Sequence, residues 1–181
     1  MNSIMLTICE YPDHPDWKMM IHHNRDRYCK LLGGQLVCTT FEVSPSRLCW
    51  ARIPNILEAL EAHDRVMWVD ADAVLCGDIN EEDLPDRLAF AHDAGGINDG
   101  ITVTVKKDIP LWKAVWGLRD LYANHPIDVN GVFRDINPIH DILALDMWNS
   151  RWENHYMKIR HFPGEVNRYE KVKAECERVM R

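Results

Sequence analysis

Arg65-Val66-Met67-Trp68-Val69 is apolar almost throughout and runs without a break into Asp70-Ala71-Asp72. A strand this apolar belongs at the centre of a sheet covered on both faces, so the preceding residues must supply flanking helices. Ile4 to Cys9 is a short apolar run suited to a buried strand, and Glu10 to Asp16 is a Pro/Asp-rich loop. Trp17, Met20, Ile21, Tyr28, Leu31 and Leu32 follow helical spacing up to a stop at Gly33-Gly34. Gln35 to Thr40 reads as a second strand, and Trp50, Ile53, Leu57 and Leu60 mark one face of a second helix, which either kinks or begins at Pro54. Strand-helix-strand-helix-strand within 70 residues implies a parallel α/β sheet with right-handed crossovers.

The second half is less regular. Ile101 to Val105 is a strand, and Pro110 opens a helix that runs through Tyr122. Ala123 to Ile136 reads as a loop, and Asn137-Pro138 opens a further helix to about Trp148. Asn167 to Arg181 carries Val172, Cys176, Val179 and Met180 on one side, an amphipathic closing helix.

With 46% hydrophobic and 27% charged residues over 181 positions, the composition is that of one packed domain spanning residues 1–181. The net charge of −7 gives no general field that attracts nucleic acid or anionic lipid. No apolar run approaches the roughly 20 residues of a membrane span. Met1-Asn2-Ser3-Ile4 lacks the pattern of an export signal, so a soluble, cytoplasmic protein is expected. The six cysteines show no Cys-x-x-Cys spacing, which favours a reducing compartment and argues against structural zinc.

The chemistry concentrates at Asp70 and Asp72. Ligands of open α/β sheets bind beyond the carboxyl ends of strands, and period-two alternation would point both carboxylates the same way. Two carboxylates this close resist joint ionisation unless a cation joins them. Mg²⁺ or Mn²⁺, which take oxygen ligands, suits the pair.

"CWARIPNILEAL…DRVMWVDADAVL" resembles the W-x-[KR]-I…D-x-D stretch of retaining, metal-dependent GT-A glycosyltransferases. It is most similar to the galactosyltransferase and xyloglucan xylosyltransferase family, and more distantly to the glycogenin-like family. Asn98-Asp99-Gly100-Ile101 resembles that family's N-x-G segment, His140-Asp141 its Gln-Asp pair at a helix start, and His161-Phe162-Pro163-Gly164 its late His-Phe-x-Gly motif. The likeness runs from about Ile4 to Asn167.

What the resemblance implies is a GT-A fold: a Rossmann-like, mixed but mostly parallel sheet flanked by helices. It further implies transfer of a hexose or pentose from a nucleotide sugar, UDP-linked, to an acceptor hydroxyl with retention. Asp70, Asp72 and His161 would hold the divalent metal, and an imidazole beside two carboxylates favours Mn²⁺ over Mg²⁺. The metal would neutralise the diphosphate leaving group. Arg52 would lie near that diphosphate, Gly164 would let the backbone approach a phosphate, and Tyr11 would stack on the base. Asp141 and Asp99 would contact the donor sugar or lie near its anomeric carbon. His140 stands where the family has Gln, so it takes over the sugar contact there. Asn167 stands where the glycogenin-like motif has its phosphate-contacting Lys, so that contact passes to Arg168. Two alternatives stay open: a haloacid-dehalogenase-type phosphatase, since Asp70 to Val74 also reads as D-x-D-x-[TV], and a non-catalytic GT-A domain that binds nucleotide sugar. The acceptor and the oligomeric state are not encoded in any motif.

Overall fold

The computed structural model describes residues 2–7, 16–31, 48–93, 96–122, 128–143, 148, 157–162 and 166–181. The central sheet has the order β1 (Ser3–Leu6), β2 (Arg65–Val69), β5 (Gly96–Val105), β4 (Ala89–Asp93), β6 (Asp141–Ile142). β1 pairs with β2 and β4 with β6 in parallel, whereas β5 runs against both of its neighbours. The sheet is therefore mixed, with β5 as its reversed strand. The departure from an all-parallel sheet has a simple cause. Only residues 94 and 95 separate β4 from β5, and a link that short can form a hairpin but not a crossover.

Every residue of β2 is buried. On one face Val66, Trp68, Ile4, Leu6 and Phe90 pack against α2 (Leu48–Ala62), α3 (Ile109–Gly117) and α4 (Asp128–Ile136) through Trp50, Ile53, Leu60, Trp112, Val132 and Phe133. On the other, Met67, Val69, Ile101 and Val103 meet Leu75, Ile79, Leu143, Trp148 and Ile159. A smaller cluster joins α1 (Asp16–Tyr28) to α5 (Arg168–Val179) through Trp17, Ile21, Val172 and Cys176. Between them lies the two-stranded sheet of β3 (Ala73–Leu75) and β7 (Ile159–His161). No helix among the described residues is long and apolar enough to cross a membrane.

Helix α2 runs through Pro54, one of the two alternatives that the sequence left open. Three local expectations change. α4 occupies Asp128–Ile136, where a loop was expected, because Val129, Val132 and Phe133 recur at helical spacing and are all buried. Asn137 then takes a left-handed conformation (φ 45°) and its N–H donates to Phe133 O at 2.8 Å. Asn137-Pro138 is thus a helix stop, with the asparagine as left-handed cap and the proline just beyond it, and the chain enters the edge strand β6 instead of a new helix. α3 is also shorter than expected, ending at Gly117. Gln35 to Thr40, the predicted second strand, lies outside the described residues, as does the loop Glu10 to Pro15.

Candidate metal and donor site

Asp70 and Asp72 converge by a different route from strand alternation. β2 stops at Val69, and Asp70 to Ala73 is a reverse turn closed by Ala73 N–H donating to Asp70 O at 3.1 Å. Two strands pin this turn. The Asp70 N–H donates to Gly100 O on β5 at 2.8 Å, and the Phe162 N–H donates to Asp72 O at 3.1 Å. The antiparallel register of β3 with β7 sets His161 opposite Ala73. A residue 89 positions further along thereby reaches the turn, and His161 Nε2 lies 3.1 Å from Asp72 Oδ1.

One ligand atom from each of Asp70, Asp72 and His161 lies within 4.8 Å of the others. An octahedral ion with bonds of about 2.1 Å needs donors roughly 3 to 4.2 Å apart, so the group is within about half an ångström of closing on a divalent cation. The donor chemistry, two carboxylate oxygens and one imidazole nitrogen, fits a divalent metal ion.

The surroundings tune the carboxylates. Burial pushes the Asp72 carboxyl up, but the His161 hydrogen bond and the charges of His161 and Arg168 outweigh it, and the net shift is downward. The expected mutual suppression of ionisation is therefore not what governs Asp72. Arg168 opens α5 and pairs with Asp72 Oδ2 at 3.0 Å. Asp70 accepts a hydrogen bond from Trp68 Nε1 at 2.7 Å and lies 3.7 Å from Arg52 Nη1. Arg52 itself is buried on α2, lies over the Trp68 ring and pairs with Asp99 Oδ1 at 2.9 Å. Asp99 is held from a third side, because its N–H donates to Asn130 Oδ1 on α4 at 2.8 Å.

Asp99 is 1% exposed, and its Oδ2 has no hydrogen-bond partner among the described residues. Burial pushes its carboxyl up, Arg52 pulls it back in part and the Asp70 charge adds to the rise, giving about 6. With the folded value above the unfolded one, the native state binds more protons between about pH 4 and 6, so this group's contribution to stability falls as pH rises through that window. Asp99→Asn should remove this slope. The stability difference between wild type and variant, from urea midpoints at pH 4.5 and 7, should shift by on the order of 2 kcal/mol in favour of wild type at the lower pH. A pH-independent difference would contradict the assignment.

The structure brings together Asp70, Asp72, His161, Arg52, Asp99 and Arg168. It does not bring Asp141 to them. Asp141 lies on edge strand β6, three strand spacings from β2, or roughly 14 Å at about 4.8 Å each, and is ion-paired with Arg87. His140 Nδ1–H donates to Pro138 O, and its Nε2 lies 3.0 Å from His92 Nε2. Tyr11 and Gly164 lie outside the described residues. Trp68 and Asn130 were not singled out from the sequence. Trp68 could have been, since it shares a strand face with the position two residues on. Asn130 could not, because its stretch read as loop.

No protein-family model matches the chain. A probable glycosyltransferase 7 of rice, in both Oryza sativa subsp. indica and subsp. japonica, is 45% identical over 56 residues, which cover 29% of this chain and 12% of the rice protein. Among solved structures, a glycosyltransferase involved in glycosylation of the major capsid of PBCV-1 superposes with a TM-score of 0.74 at 17% identity, covering 98% of this chain and 100% of that one. The glycosyltransferase GlyE of Streptococcus pneumoniae TIGR4 gives 0.55 at 14% identity, over 80% of this chain and 45% of its own. The chain has the mixed α/β fold of these glycosyltransferase structures, and the Asp70 turn stands at the carboxyl end of a strand in the middle of that fold.

Proposed function

We propose that this chain is a metal-dependent glycosyltransferase that moves a hexosyl or pentosyl unit from a UDP-linked sugar to an acceptor hydroxyl with retention. The observation that carries the reading is the meeting of Asp70, Asp72 and His161 at one point. They come from a turn and from a strand far along the chain, in a fold shared with glycosyltransferase structures. It favours this reading over the phosphatase, because an imidazole meets the carboxylate pair where that reading needs a lysine.

Asp70, Asp72 and His161 would hold the metal, which as a Lewis acid supplies charge neutralisation for the departing diphosphate. The chain's own groups do the rest. Arg168, one-third exposed on Asp72 Oδ2, can turn its remaining donors to a phosphate oxygen without leaving the site. Arg52 is fixed by Asp99 and Trp68, so its cation stays beside Asp70 at no further entropic cost when the anion arrives. Trp68 Nε1–H orients the Asp70 carboxylate from behind, as outer-shell donors do.

The test is a thermal-shift panel of nucleotide sugars with and without Mn²⁺. A UDP-sugar at about 100 times its Kd adds about 2.7 kcal/mol, or roughly 5–10 °C for a chain of this size. The shift should appear only with the metal present. A flat panel across nucleotides and metals would overturn the reading, and slow UDP-sugar hydrolysis would separate an active enzyme from a binding domain.

A further inference from the structure

The buried face of α1 consists of Trp17, Ile21, Asn24 and Arg25. The first two are ordinary core residues. The last two place an amide and a guanidinium where apolar side chains would normally go, which is unfavourable unless both are fully hydrogen-bonded. Asn24 is 0% and Arg25 4% exposed.

Among the described residues, their side-chain bonds converge on one short stretch of chain. Asn24 Nδ2 donates to Leu75 O at 2.8 Å, and Asn24 Oδ1 accepts from Leu75 N–H at 2.9 Å. The amide therefore docks on β3 as a neighbouring strand would, on the edge opposite β7. It also accepts from Arg25 Nη1 at 2.8 Å, which orients the guanidinium. Arg25 Nη2 then donates to Asp70 O at 3.2 Å and to Ala73 O at 2.7 Å. These carbonyls belong to the first and last residues of the reverse turn that carries both aspartates. One rigid planar group grips both ends of that turn from beneath.

We propose that Arg25 is a positioning residue for the metal-ligand turn: by holding the carbonyls of Asp70 and Ala73 it sets the directions in which the Asp70 and Asp72 side chains leave the backbone. The inference rests on the metal reading of Asp70, Asp72 and His161. An apolar side chain of similar length would fill the same space but would release both carbonyls. A lysine keeps the charge and reaches a carbonyl, but lacks the planar fork that also engages Asn24.

The test is Mn²⁺ alone, titrated by electron paramagnetic resonance against wild type, Arg25→Met, Arg25→Lys and Leu60→Ala. The last variant weakens the core at the far end of α2, eight residues or about 12 Å along the helix from Arg52. Arg25→Met should weaken Mn²⁺ binding at least about tenfold, the scale of outer-shell losses, and broaden the bound-ion spectrum. Arg25→Lys should recover part of the affinity. Leu60→Ala should lose thermal stability yet bind Mn²⁺ within about twofold of wild type, on the rule that distant sites act independently. Hydrogen exchange at residues 70–73 should quicken in the Arg25 variants, with or without metal. If both Arg25 variants fold and bind Mn²⁺ as wild type does, the positioning role is overturned. If Arg25→Met fails to fold, wild-type affinity in Arg25→Lys overturns it alone. Failure of wild type to bind Mn²⁺ overturns the metal reading and the inference with it, and that result is read on a different protein from the others.

Discussion

Asp72→Ala is expected to abolish Mn²⁺-dependent binding of UDP, with transfer activity falling by roughly three orders of magnitude or more. Loss of an outer-shell partner costs a metal site about 10- to 100-fold, so loss of a ligand should exceed that range. Asp72 is also the point where the site's charges meet, since one of its oxygens faces His161 and the other Arg168. Its removal leaves the Arg168 guanidinium facing a cation without the carboxylate between them, so the effect on affinity is repulsive as well as subtractive. Asp70→Ala should act in the same direction. Calorimetric titrations unchanged in both variants would count decisively against the metal assignment. Stability gives a second readout. The folded Asp72 carboxyl lies below its usual range, because the His161 and Arg168 contacts outweigh its burial. Its contribution is therefore present above the unfolded pKa of about 3.9 and is lost as pH falls through the folded value. The alanine variant should be less stable than wild type at neutral pH, and the gap should narrow in acid.

The sequence encodes the elements around this turn unequally. β2 was readable to the residue, Arg65–Val69, because a central strand is apolar on both faces and the aspartates mark its end. α5 was equally plain, since Val172 and Cys176 are one turn apart and both buried. β5 was legible only in its second half, Ile101 to Val105. Its first half, Gly96 to Gly100, sets a single core residue, Ile97, among glycines and polar residues, so it carries no hydrophobic period. Asn137-Pro138 is ambiguous by nature, since the same residue types open helices and close them, and only the buried Val129, Val132 and Phe133 before it decide the matter. At the site, the aspartate pair and His161 were found through residue type and motif order. Period-two reasoning brought the two carboxylates together along a strand, whereas the structure does so through a reverse turn. Arg25 lay hidden because a buried arginine on a helix has the sequence appearance of a solvated one.

Gly100→Ala is expected to disable the site almost as thoroughly as removal of a ligand, although no ligand is touched. A methyl group at this position would lie 2.8 Å from Asp70 Oδ2, 2.8 Å from His161 Cε1 and 3.0 Å from Asn98 Oδ1. It would stand between two of the three proposed ligands. Which of them yields follows from burial. The His161 side chain is 2% exposed and tied to Asp72, whereas Asp70 is 29% exposed and has solvent to swing into. Asp70 should therefore rotate outward, breaking its Trp68 contact, at an overpacking cost of about 1–3 kcal/mol that the fold can bear. Mn²⁺ affinity should fall by more than about 100-fold, the scale expected for Asp70→Ala, since a displaced ligand exceeds the outer-shell range. If displacement of Asp70 is the whole cause, adding Gly100→Ala to Asp70→Ala should cost almost nothing more in Mn²⁺ affinity, the non-additivity expected of two changes that remove one interaction. Mn²⁺ titration of the two single variants and the double variant checks this. Gly100→Ala binding within about twofold of wild type would show that the glycine is not needed to keep the ligands in place. Full additivity would show that His161, rather than Asp70, is the group that moves.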